Sequence, residues 1–77
     1  MLEFNINLKS IDDVKKFVTE ASLVSCDIDV VSGRYVVDAK SIMGLFSLDL
    51  SGSVAVQVRG DGALAEQFKT TIADLVA

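Results

Sequence analysis

Ala39-Lys40-Ser41-Ile42-Met43-Gly44-Leu45-Phe46-Ser47-Leu48-Asp49-Leu50 is the stretch around which the rest of this chain can be ordered. Ser41 has the chemistry of a helix cap, and Ser51-Gly52 has the chemistry of a turn that ends the run. Between them lies a dense series of large apolar side chains, Ile42, Met43, Leu45, Phe46 and Leu48. A small domain has few such residues to spare. The stretch reads as a short helix with more apolar surface than one buried face requires.

Outward from it, the flanking segments have the period of strands. Leu2, Phe4, Ile6 and Leu8 alternate with Glu3, Asn5 and Asn7, which predicts a half-buried first strand. Ser10 then caps a helix, and Asp13 stands where a capping-box acid reaches back. Asp12 and Asp13 suit the positive end of that helix, and Ile11, Val14, Phe17, Val18 and Ala21 share its apolar face. Lys15, Lys16, Thr19 and Glu20 face water on the opposite side. Ser25 to Val31 predicts a second strand with Cys26, Ile28 and Val30 inward. Ser32-Gly33 turns the chain, and Arg34 to Asp38 returns with Tyr35 and Val37 inward. Beyond the central stretch, Ser53 to Arg59 is a strand with Val54, Val56 and Val58 inward. Gly60-Asp61-Gly62 breaks it, and Ala63 to Val76 closes as a helix on Leu64, Phe68, Ile72 and Leu75.

The order is therefore β-α-β-β-α-β-α. Each strand has one apolar and one polar face, so an α+β fold follows, with one antiparallel sheet carrying helices on one side and water on the other. The 77 residues make a single domain, 1–77, and 51% hydrophobic against 23% charged residues excludes disorder. A net charge of −4 without a basic cluster disfavours nucleic acid and anionic membrane as partners. Met1-Leu2-Glu3-Phe4 has no basic region followed by a long apolar core, so no signal peptide is expected. The lone Cys26 cannot form an internal disulfide, which fits a cytoplasmic protein.

Ala39-Lys40-Ser41-Ile42-Met43-Gly44, with Ser47-Leu48 after it, resembles the regulatory-serine segment of HPr, the histidine-containing phosphocarrier family of the bacterial sugar phosphotransferase system (PTS). Phe17-Val18-Thr19-Glu20-Ala21 resembles the later part of that family's first helix, and the element order agrees over essentially the full length. The resemblance implies an open-faced β-sandwich, three helices over a four-stranded sheet of order 1-4-2-3. It also implies an active histidine, closely followed by an arginine, between the first strand and first helix. Here that segment is shortened to Lys9-Ser10-Ile11-Asp12-Asp13, and the chain contains no histidine. Histidine phosphotransfer needs an imidazole that accepts and releases the phosphoryl group. Two carboxylates at the helix start also repel an incoming dianion. The departure resembles the catabolite-repression HPr homologue, which acts through serine phosphorylation alone.

Ser41 carries two readings: a plain N-cap, or the family's regulatory phosphoserine, where phosphorylation adds a charge of about −2 at a helix start. Ile42, Met43 and Phe46 can share one helix face with Leu45 and Leu48 directed to the core. They are either further core or an exposed docking patch. Lys40 is a cation beside Ser41 or an ordinary surface residue. Asp12 and Asp13 read as capping acids with no third metal ligand, and Asp27 and Asp29 as solubilising charges on the open face. Cys26 reads as a small core residue, and Gly60-Asp61-Gly62 lacks the lysine and spacing of a phosphate loop. No nucleophile–base pair, metal set or cofactor motif is present, so an enzyme is not expected. Three functional readings remain. One is a regulatory module switched at Ser41, with a serine kinase, a phosphatase or a transcriptional regulator as partners by resemblance. Another is a phosphotransfer component with an unconventional acceptor. The last is a constitutive binding or structural module, associating through the Ile42–Phe46 patch or the open sheet edge.

Overall fold

The computed structural model describes residues 1–77. Four strands, β1 (Leu2–Ile6), β2 (Ile28–Ser32), β3 (Tyr35–Asp38) and β4 (Val54–Val58), form one antiparallel sheet in the order β1-β4-β2-β3. Three helices, α1 (Ile11–Ser22), α2 (Ile42–Phe46) and α3 (Gly62–Thr71), join them, and a 3₁₀ turn at Ala73–Leu75 follows α3. β4 lies between β1 and β2, and β2 lies between β3 and β4. Each helical crossover, α1 or α2, therefore skips over one strand to reach the next, as in two interleaved split β-α-β units.

The strand alternation sorts the two faces as the sequence predicts. Phe4, Ile6, Ile28, Val30, Val54, Val56 and Val58 are buried beneath the helices, and Phe4 pairs with Val56, which pairs in turn with Val30. The opposite face presents Glu3, Gln57, Asp29 and Asp38 across one row of the register. Arg59 ties that row together, donating from Nε to Asp29 at 2.9 Å and from a terminal nitrogen to Gln57 at 3.2 Å. The helices contribute Val14, Phe17, Ala21, Leu45, Ala65 and Phe68 to the core, where the rings of Phe17 and Phe68 meet edge-on at 5.8 Å.

Several boundaries and faces differ from the sequence reading. Ile11 is 62% exposed, because it opens α1 beyond the first buried turn, and Val18 is only half-buried. β2 starts at Ile28, and Cys26 is half-buried in the preceding bend. The backbone at Gly60 passes so close there that a Cβ would lie 2.6 Å from the Cys26 Sγ. Tyr35 is 71% exposed and Val37 half-buried, since β3 is an outer strand and its hairpin tip extends past the helical layer. The closing helix ends at Thr71, and its stripe runs through Ala65, Phe68, Ile72 and Leu75, with Leu64 displaced to the flank. Ala65 is small, which lets α3 approach the sheet where a leucine would hold it off. Gly33 has φ +58° while Arg34 stays at negative φ, the pattern of a type II′ hairpin turn.

Candidate functional site

α2 is too short to persist alone, and tertiary contacts hold it. Ser41 caps it as the sequence predicts: Oγ accepts the Gly44 N–H at 3.1 Å, and the Ser41 carbonyl accepts the Leu45 N–H at the same distance. Its own N–H donates to the Asp38 carbonyl at 3.0 Å, fastening the helix start to the end of β3. Gly44 allows α2 to lie against the sheet. A Cβ there would meet the Val37 Cβ at 3.2 Å and the Ser41 Oγ at 3.3 Å. Leu45 and Leu48 are buried, and the Ser47 hydroxyl donates to the Gly44 carbonyl at 2.6 Å to close the last turn.

The remaining apolar side chains of α2 divide. Ile42 is half-buried and packs against the core, whereas Met43 is 79% and Phe46 48% exposed. Lys40 is neither beside the serine as a free cation nor an untethered surface residue. Its Nζ donates to the Val24 carbonyl at 2.7 Å in a partly buried position, tying the segment before α2 to the loop after α1. Below α2, Asp49 accepts from both the N–H and the hydroxyl of Ser51, and these bonds hold its carboxyl below the ordinary aspartate pKa.

The other expected site, the start of α1, is built differently. Ser10 Oγ accepts the Asp13 N–H at 3.1 Å, while the Asp13 carboxylate accepts from the Lys9 N–H at 2.9 Å. The acid thus reaches one residue further back than a capping box, beyond the cap itself. The connection from β1 is Asn7–Ser10, and Asp12 and Asp13 belong to the first helical turn. No three Cys, Asp or Glu side chains converge to hold a metal ion. Nor does any base stand within hydrogen-bond reach of the Ser41 Oγ, whose partner is the Gly44 N–H. A shallow groove of about 280 Å³, lined by Glu20, Leu23, Leu64 and Gln67 among others, lies between α1 and α3 and includes no residue of α2.

A family model described as "PTS HPr component phosphorylation site" matches residues 13–77. The chain belongs to the HPr family. Among solved structures, HPr-C-His from Thermoanaerobacter tengcongensis is similar at 32% identity with a TM-score of 0.81, covering 99% of this chain and 91% of that one. Crh, the catabolite repression containing protein of Bacillus subtilis, is similar at 26% identity and a TM-score of 0.67, covering 99% of this chain and 88% of that one. That protein is described as a swapped dimer. The phosphocarrier HPr of Bacillus anthracis, at 24% identity, shares the fold with a TM-score of 0.77 over 99% of this chain and 96% of its own. No curated protein sequence matches the chain significantly. The HPr family are phosphocarrier proteins of the PTS that work by contact with other proteins, and the PTS HPr assignment applies to this chain at that level. No helix is long and apolar enough to cross a membrane.

Proposed function

We infer that this HPr-family protein is a cytoplasmic regulatory module. Phosphorylation of Ser41 and docking through the exposed face of α2 carry its function, and it does not act as a histidine phosphocarrier. The carrying observation is the pairing of a half-buried, capping Ser41 with exposed Met43 and Phe46 in a chain that contains no histidine. A kinase moving a phosphoryl group from ATP to Ser41 forms an Oγ–P bond as the terminal O–P bond of ATP breaks, and the kinase's base takes the hydroxyl proton. The product adds a charge of about −2 at the first turn of α2. There the N–H groups of Ile42 and Met43 have no partner within the chain. Met43 and Phe46, one adaptable and one aromatic, suit the centre of a protein contact. Lys40 stays a candidate contact in this reading, with one Nζ hydrogen given to the Val24 carbonyl, which holds the loop that carries Ser41. The partners in view are the family's serine kinase and phosphatase or a transcriptional regulator.

Incubation with an HPr serine kinase and ATP, followed by peptide mass spectrometry, tests the reading. Phosphate on Ser41 is expected. An unmodified chain under conditions that phosphorylate a conventional HPr would overturn it. Phosphoryl transfer onto this chain from phosphoenolpyruvate by the first enzyme of the PTS would count equally against it.

A further inference from the structure

The two outer strands of the sheet end differently. Along β1 the C-terminal segment adds one more rung: Asn7 donates its N–H to the Leu75 carbonyl at 2.8 Å, Ala77 donates to Asn5 at 2.9 Å, and Ile6 pairs with Val76. β3 has no such cover, and its Tyr35 and Val36 are exposed. Pairing parity decides which backbone groups face outward. Ser32 and Tyr35 flank the Gly33-Arg34 turn and form a hydrogen-bonded pair, as do Val30 and Val37. The Ala39 N–H continues on the same side, donating to the Ile28 carbonyl at 2.9 Å. Val36 therefore directs both its N–H and its carbonyl away from β2, and Asp38 does so with its N–H. The Asp38 carbonyl is occupied by Ser41.

This edge is complementary to itself. An antiparallel copy centred on Val36 sets Val36 against Val36, Tyr35 against Val37, and Arg34 against Asp38 twice over. Arg34 takes part in neither of the chain's two ion pairs, and the Asp38 carboxylate is engaged only by the Lys40 backbone N–H. Opposite charges and an aromatic facing a β-branched residue are favourable cross-strand pairs. The two charge pairs also offset the repulsion between copies that each carry −4. We propose that β3 is a self-association edge: a second copy of this chain adds antiparallel across it about Val36, clamped by two Arg34–Asp38 pairs. The contact is short, so the dimer is weak and concentration-dependent. It leaves the Ser41 site out of the pairing register and does not depend on phosphorylation.

Sedimentation equilibrium up to about 1 mM protein tests it, since a Kd in the millimolar range still yields measurable dimer there. Wild type should self-associate. Arg34→Asp and Asp38→Arg, each setting like charges opposite one another, should weaken association at least about tenfold. Mixed together, these two variants should form a heterodimer, because both cross-strand pairs then become Asp against Arg. Val36→Pro removes an outward N–H that the fold does not use, so it should leave an intact monomer, checked by circular dichroism. Phe46→Asp should dimerise like wild type. A strictly monomeric wild type, a dimer that survives Val36→Pro, a dimer lost on Phe46→Asp, or no heterodimer from the mixed variants would each refute the proposal.

Discussion

α1 and α2 both begin at a serine whose Oγ accepts an N–H three residues on at 3.1 Å, yet the two helix starts are built for different ends. Behind Ser10 stand Asp12 and Asp13, and the Asp13 carboxylate folds back on Lys9. The positive end of α1 is already met by the chain's own negative charge, which leaves little attraction for an incoming phosphate. Behind Ser41 there is no acid in the first turn, and the next exposed side chains are Met43 and Phe46. α1 is long and buries Val14, Phe17 and Ala21, so its cap is one contribution among many. α2 spans Ile42–Phe46 and rests on Leu45 and Leu48, so its cap and its seat together decide whether it exists. The same local device thus stands among acids in one helix and beside exposed apolar side chains in the other.

The strongest way to break this contrast is chemical. With an HPr serine kinase and ATP, Ser41→Ala should abolish phosphate incorporation, whereas Ser10→Ala should leave it at the wild-type level. Equal labelling of the two variants would erase the distinction drawn between the helix starts. Packing offers the next largest effect. Leu45→Ala should cost about 2–5 kcal/mol in urea denaturation, while Met43→Ala and Phe46→Ala should stay within about 0.5 kcal/mol. A large loss at Met43 would show that this side chain supports the fold and does not serve a partner. Cap removal comes third. Ser10→Ala and Ser41→Ala should each cost about 1 kcal/mol in thermal or urea melts. A clearly larger loss at Ser41 would sharpen the comparison by showing that α2 melts with its cap.

Acid titration should have the smallest effect. The Lys16 ammonium, 2.7 Å away, holds the Asp74 carboxyl below its ordinary value of 3.8. Ser51 does the same for Asp49. A depressed carboxylate contributes stability that is present above the unfolded-state value and is lost as the pH falls through the folded one. Both contributions should therefore be intact at neutral pH and vanish only in strong acid. Both groups are exposed, so the change in stability should be slight. Carboxyl NMR titration should place both midpoints below that of an unperturbed aspartate. Lys16→Met should return Asp74 to the ordinary range and leave Asp49 unmoved.

Much of this architecture is legible in the residues. Leu2-Phe4-Ile6 and Val54-Val56-Val58 alternate cleanly because each strand has one face against helices and one against water, and that difference is written at every second position. Ser10, Ser41 and the Leu45–Leu48 seat were equally readable, since caps and short-range periodicity are local. Leu64 misled because a larger apolar residue looks more core-like than its neighbour, although Ala65 lies under the helix. Lys40 had no local signal, because its partner Val24 belongs to a loop distant in sequence.

From the sequence alone come the element order, the serine caps of α1 and α2, the inward sets of β1 and β4 and a chain without histidine. These rest on periodicity and side-chain chemistry, which act between near neighbours. Only the tertiary structure decided where cover ends. It left Tyr35 outside the helical layer, kept Met43 and Phe46 in water beside buried Leu45, and covered the Asn5–Asn7 end of the β1 edge with the C-terminal segment while β3 stayed open. Alternation tells which residues share a face, but how far a helix or a terminus reaches across that face depends on contacts between segments far apart in the chain.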